Sequence, residues 1–289
     1  METEVTAPAE AHTSLLAPLW DAIDWLASNI WALIHPVLSA LDPLCGPAGV
    51  FRLFLGDTIL ACGDTGWGDD LASGFYVTAS LAICTLPLGL LIGFFIALAK
   101  QSQERFLHSA ADIYTTLFRG LPELLTLFII YYGLPIVLGQ ALAPFGSGGT
   151  IEINPFVAGM VAIGVVFSAY CAEVLQSAFK AIPNGQYEGG YAIGLTHGQT
   201  MRLVILPQLI RIALPGLGNL WMTLLKDTAL VSAVGLPDIL RQANIAAKVT
   251  KNAFLFYGLA CLLFLVLAIL SSFIFSWIEN RARRAEVRR

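Results

Sequence analysis

Four ionisable side chains stand inside long apolar runs of the 289-residue chain: Glu123, Glu173, Lys226 and Asp227. Such groups are expensive in a hydrocarbon environment, so they face a wet pathway or pair with one another. Glu173 is the strongest functional candidate. It lies among small residues (Ser168, Ala169, Ala172), where a carboxylate can receive the α-ammonium of any amino acid or a cationic side chain. Lys226 and Asp227 are adjacent, so on a helix they point about 100° apart and do not pair face to face. Asn219 follows Pro215-Gly216-Leu217-Gly218, where a proline kink frees carbonyls that can line a pathway. Helix packing by the two glycines competes with that reading, and pairing with another span competes with the pathway role of each ionisable group.

Other chemistries find no footing. The five cysteines show no ligand spacing, and three of them sit in apolar runs where a lone Cys acts as a small hydrophobe. No metal site is expected. No GxxxxGK[ST] loop is present to hold a nucleotide. The net charge is −4, and no basic run interleaves with aromatics, which excludes nucleic acid. The four histidines are scattered, which disfavours a membrane enzyme, and no filter-like loop or acidic ring supports a channel.

The elements that position these residues are membrane spans. Hydrophobic residues make up 57% of the chain and charged residues only 12%, against roughly 25% charged in soluble domains. Five stretches reach the ~20 apolar residues a spanning helix needs: Phe75–Ala99, Leu121–Pro144, Pro155–Phe179, Leu209–Leu236 and Ala253–Ile278. With the C-terminus in the cytoplasm, eleven of the sixteen Lys and Arg fall on the inner side, as the positive-inside bias requires. Lys100, Arg105 and Arg119 are counted among those inner charges. The predicted fold is an all-α membrane protein with a five-span core over 73–280 and a basic cytoplasmic tail over 281–289.

Residues 1–72 form an N-terminal extension. METEVTAPAEAH is acidic where a secretory signal needs a positive start. Between Ser14 and Leu41, Trp20, Ile23, Ala27, Ile30, Trp31 and Ile34 recur at helical spacing. An interfacial helix on the outer leaflet is preferred, and an extra span is the alternative. Cys45 and Cys62 then face an oxidising compartment; a disulfide is conceivable, and independent free thiols are favoured.

Between the third and fourth spans lies a polar segment, 184–208, on the inner face. Pro183-Asn184-Gly185 ends the third span. Residues 186–193 can make two helical turns that Gly194 interrupts as a C-cap. Thr196 opens a second helix with Gln199 in capping-box spacing, expected to stop near Pro207. A surface connector and a docking element for a cytoplasmic partner are both consistent with this pattern.

Glu188-Gly189-Gly190-Tyr-Ala-Ile-Gly194, then nine residues, then Val204-Ile-Leu206-Pro207, resembles the cytoplasmic signature of ABC-transporter permease subunits, Glu-Ala-Ala, three residues, Gly, nine residues, Ile-any-Leu-Pro. Gly189 and Gly190 stand where Ala is usual, which weakens the first helix by about 1 kcal/mol for each change. YTTLFRGLPELLTLFIIYYGLP (114–135), SAYCAEVLQSAF (168–179) and LKDTALVSAVGLPDIL (225–240) resemble polar amino-acid permeases, with the histidine/lysine-arginine-ornithine and opine permeases most similar. The likeness covers about 67–284. The usual Glu-any-any-Arg-Gly of the third span reads Glu173-Val-Leu-Gln176-Ser177, so no Arg contact carries over there.

The resemblance implies an importer subunit of a bacterial inner membrane, with Glu188, Gly189, Gly190, Gly194, Leu195, Thr196, Leu206 and Pro207 as the coupling residues. It also implies a cytoplasmic ABC ATPase dimer that binds ATP and Mg, a periplasmic solute-binding protein, and a second permease subunit. A related but different chain is preferred over a second copy as that partner. No cofactor is expected on this chain. A channel or secondary transporter not powered by ATP is the alternative.

Overall fold

The computed structural model describes Cys45 and residues 59–62, 66–142 and 154–287. The expected helix between Ser14 and Leu41 and most of the loop between Pro144 and Pro155 lie outside the described residues. The chain divides into two compact units, Met1–Asp69 with Tyr132–Ile153 and Asp70–Tyr131 with Asn154–Arg289.

Every regular element among the described residues is helical: α1 Gly68–Lys100, α2 Arg105–Gly120, α3 Glu123–Leu142, α4 Pro155–Ala181, α5 Asn184–Ala192, α6 His197–Thr200, α7 Leu206–Asp227, α8 Ile239–Thr250 and α9 Ala253–Val287. Among the described residues, four helical stretches are long and apolar enough to cross a membrane: α1, α4, the run His197–Val234 and α9. A fifth is made by α2 and α3 if they count as one span, bent by 108°.

The second unit is built around α4, the most buried of these stretches. Ala162, Ile163, Phe167 and Cys171 of α4 pack with Leu81 of α1 and with Trp221, Leu224 and Leu225 of α7. Further along α4, Ala172, Leu175, Ala178 and Phe179 pack on Ala97, Ile205, Leu209 and Ala213. Helices approach closely here because small residues line the contact. The Pro215 kink region follows the same logic: a Cβ on Gly216 would lie 2.8 Å from Val174, so that glycine serves packing.

The region between the first two spans is the 16-residue α2. Its apolar side exposes Phe106, Ile113 and Leu117, and Ala111 and Thr115 are buried. Tyr114 on α2 reaches α4, with its hydroxyl 2.8 Å from Ser168 Oγ and donating to the Val165 carbonyl at 3.2 Å. The second helix of the polar segment, expected to stop near Pro207, does not stop. Met201–Ile205 is a π-helical turn that leads directly into α7. Leu206 N–H donates to Met201 O, five residues back. That wider turn makes room for a proline, which lacks an N–H and crowds the carbonyl one turn earlier.

The preference for free thiols at Cys45 and Cys62 is also overturned, because the two form a disulfide with Cα atoms 5.7 Å apart. In the same unit, Trp67 N–H donates to Ile59 O (3.0 Å) and Gly68 N–H to Ala61 O (3.1 Å), which fixes the Cys62 turn against the start of α1. Closing a loop of this length is worth about 3 kcal/mol. Alkylation of the denatured, unreduced protein should therefore modify only Cys84, Cys171 and Cys261, with Cys45 and Cys62 joining after reduction. Five modified cysteines before reduction would restore the reading as independent thiols.

Candidate functional site

Glu173 is not a lone carboxylate. Lys100, at the end of α1, turns inward, and its Nζ contacts Glu173 Oε1, Thr115 Oγ1 at 2.9 Å and Asp112 Oδ1 at 3.2 Å. Its side chain is only 5% exposed. His108 extends the chain of contacts: Nδ1 lies 2.7 Å from the Lys100 carbonyl, and Nε2 lies 3.2 Å from Asp112 Oδ2. Both ring nitrogens therefore face oxygen acceptors. On the other side, Arg119 NH1 lies 3.5 Å from the same Glu173 Oε1, and its guanidinium sits 5.7 Å from the Tyr170 ring centroid. Arg119 is 43% exposed against 5% for Lys100, so the two cations have different roles: one is buried structure and the other is accessible.

Glu173 and Arg119 line a cavity of about 430 Å³ with Val174, Ser177, Ala178 and Ile212. A carboxylate, a guanidinium and a hydroxyl over an apolar floor are the groups that hold a zwitterion. The other pathway candidates are elsewhere. Asp227 lines a separate small cavity with Glu123, Leu127 and Leu230. Lys226 and Asn219 are exposed and line neither cavity. Sequence reasoning missed Lys100 and Arg119 because both read as inner-side charges. The signal available was the spacing Lys100, Asp112, Thr115, Arg119, whose last three residues fall along one side of a helix.

The polar segment forms a compact linkage. α5 ends in a Schellman turn: Leu195 N–H donates to Gly190 O (3.1 Å) and Gly194 N–H to Tyr191 O (2.9 Å). Gly194 has φ +84°, a left-handed conformation that disfavours other residues. Thr196 caps α6 with the expected capping box, completed by Gln199. Tyr191 Oη lies 2.8 Å from His197 Nδ1, which bridges the turn. Glu188, Gly189, Gly194, Thr196 and Pro207 are exposed, Leu195 and Leu206 are half-buried, and Gly190 is buried. Ile193 (76% exposed) and Leu203 (63%) present apolar surface on this otherwise polar segment.

Among the described residues, one group of ligand-type side chains gathers, Cys45, Cys62 and Asp69. Its two sulfurs are bonded to each other, so it offers no thiolate.

Comparison with known proteins matches residues 86–284 to the family described as binding-protein-dependent transport system inner membrane component. The chain is 42% identical over 228 residues to the nopaline transport system permease protein NocQ of Agrobacterium fabrum, covering 78% of this chain and 97% of that one. It is 39% identical over 216 residues to the histidine/lysine/arginine/ornithine transport system permease protein HisQ of Salmonella typhimurium, covering 75% and 94%. Among solved structures, an amino acid ABC transporter with histidines aligns at TM-score 0.63 and 35% identity, over 74% of this chain and 94% of that one. The MetNI methionine ABC transporter aligns at TM-score 0.61 and 20% identity, over 73% and 95%, a likeness of fold.

The charge chain can be tested without reference to transport. Lys100→Met should lower stability, by about 1.5–3 kcal/mol, because it removes the buried ammonium and leaves Asp112 with His108 and Glu173 with Arg119 as their remaining partners. Lys100→Met with Glu173→Gln should recover part of the loss, and Arg119→Gln should cost under about 1 kcal/mol. Thermal unfolding in detergent reads all three. Equal losses for Lys100→Met and Arg119→Gln would contradict the division of roles.

Proposed function

The chain belongs to the family of binding-protein-dependent transport system inner membrane components, and from that membership we propose that it is the membrane-spanning subunit of an ATP-driven amino-acid importer. The observation that carries this reading is the polar segment: Glu188, Gly194, Leu206 and Pro207 stand in the permease register on a capped helix pair that runs straight into a span. Energy comes from an ATPase dimer docking on that segment through Ile193, Leu203 and the polar residues around them. ATP and Mg bind to the ATPase, and this chain carries no catalytic site of its own. A solute-binding protein delivers substrate from the periplasm. A second, related permease chain completes the pathway, and a homodimer is the second choice. The C-terminus and 184–208 face the cytoplasm of a bacterial inner membrane.

The substrate class is an amino acid or amino-acid derivative, with a cationic side chain preferred. Arg119 spends one contact on Glu173 and keeps further donors for an α-carboxylate. Glu173 is 28% exposed and lines the cavity, where its carboxylate can accept from a substrate ammonium. The relatives named for nopaline and for histidine, lysine, arginine and ornithine support the cationic class. No observation favours an ATP-independent channel or secondary transporter.

Copurification is the direct test: the chain expressed with its operon neighbours should retain an ATPase subunit through detergent extraction, and a chain purified alone from that mixture would refute the reading. Two variants then locate the roles. Glu173→Gln should assemble, because Lys100 keeps Asp112 and Thr115, while uptake of arginine into proteoliposomes falls about tenfold, the equivalent of ~1.4 kcal/mol. Gly194→Asp should insert and assemble but lose uptake, since it places a side chain and a charge at a left-handed turn worth roughly 1–2 kcal/mol of strain. Normal uptake by Gly194→Asp would remove the segment from the energy path.

A further inference from the structure

Gly189 and Gly190 are neighbours on α5, and both stand where the permease signature usually has Ala, yet their surroundings differ. A Cβ on Gly189 would meet nothing within 4 Å. A Cβ on Gly190 would lie 2.5 Å from Thr200 Cγ2, 2.8 Å from Thr200 Oγ1 and 3.2 Å from Thr200 Cβ. Thr200 is fully buried, and its Oγ1 has no hydrogen-bond partner among the described residues, so its side chain is held there by packing. It is the last residue of α6, immediately before the π turn that leads into α7.

Two polar contacts flank this one. Gln208 Nε2 donates to Gln186 Oε1 at 3.0 Å on one side, and on the other Tyr191 bonds to His197 with ring centroids 6.3 Å apart. Tyr187 and Val204 pack in the buried cluster beneath. α5 is thus joined to the α6–α7 rod at three levels, and the middle level is a threonine filling the notch left by a missing methyl group.

We propose that Gly190 and Thr200 are paired positioning residues: the notch and the side chain that fills it set the angle of α5 on the α6–α7 rod, and so set how motion of the docked ATPase reaches the span. This rests on the importer reading. Gly190 is then a requirement of Thr200, while at Gly189 no neighbour on this chain stands in the way of a methyl group. Restoring the usual alanine has opposite consequences at the two sites. At Gly189 it favours the helix; at Gly190 it drives α5 away from the rod.

The test compares Gly189→Ala, Gly190→Ala, Thr200→Ala and the double variant Gly190→Ala/Thr200→Ala in the full transporter complex. Thermal stability and the ATP hydrolysed per radiolabelled arginine taken up are both measured. Gly189→Ala should equal or exceed wild type in thermal stability. Gly190→Ala should be less stable, as a close contact requires, and should raise the ATP consumed per arginine taken up. The double variant should return both readouts most of the way to wild type. The proposal falls if the two glycine variants behave alike, or if Thr200→Ala fails to rescue Gly190→Ala. It also falls if Gly190→Ala loses stability alone, with an unchanged ATP-to-arginine ratio. If the wild-type complex takes up no arginine, the substrate reading fails, and the stability order with its rescue decides the contact by itself.

Discussion

A proline one residue into α7 has no N–H to donate, and its ring crowds the carbonyl a turn earlier. A chain meeting this obstacle at a membrane surface can break its helix or widen one turn. Here it widens: Leu206 N–H reaches back to Met201 O, and the helix beginning at His197 continues as far as Val234. The second helix of the polar segment and the span are therefore one rod. Backbone hydrogen bonds are the stiffest connection a single chain offers between a surface and a membrane interior. Had the helix ended at Pro207, the two would be joined by a loop that absorbs displacement.

A buried charge ties α1, α2 and α4 to one another. Lys100 is taken out of water at the end of α1, which is tolerable only because Glu173, Asp112 and Thr115 satisfy it from two other helices. This also explains why α2 is a helix: Asp112, Thr115 and Arg119 reach the same charge system at spacings of three and four, which places them on one face. The apolar residues Phe106, Ile113 and Leu117 are left on the exposed side.

Much of this was legible from the residues alone. Composition and run length gave the spans; Gly194 and the Thr196–Gln199 pair announced a turn and a cap because these are local rules that operate within a few residues. Pro207 misled for the same reason, since the local rule for proline is to end a helix, and only the π turn, a backbone adjustment with no composition of its own, overrides it. Lys100 misled because the positive-inside bias concerns average position, whereas a flexible four-carbon stem can turn its ammonium back into the bundle. Glu173, Asp227, Lys226 and Asn219 were grouped by chemistry, and helix rotation then separated them into two cavities and two exposed positions. The Cys45–Cys62 link is a long-range pairing, which spacing alone does not specify.

One consequence follows from the rod and the cavity together. Ile212, a wall of the cavity with Glu173 and Ser177, lies on α7 fifteen residues beyond His197, or ~22 Å along a helix. On the way, Leu209 and Ala213 pack against α4, and Gly216 packs against Val174, another cavity residue. A tilt imposed where Tyr191 meets His197 reaches the cavity wall along a single helix, without an intervening joint. Close packing of Leu209 and Ala213 on α4 passes such a tilt to the helix that carries Glu173. The cavity proposed for the amino acid and the surface proposed for the ATPase thus lie along one helix, with no loop between them.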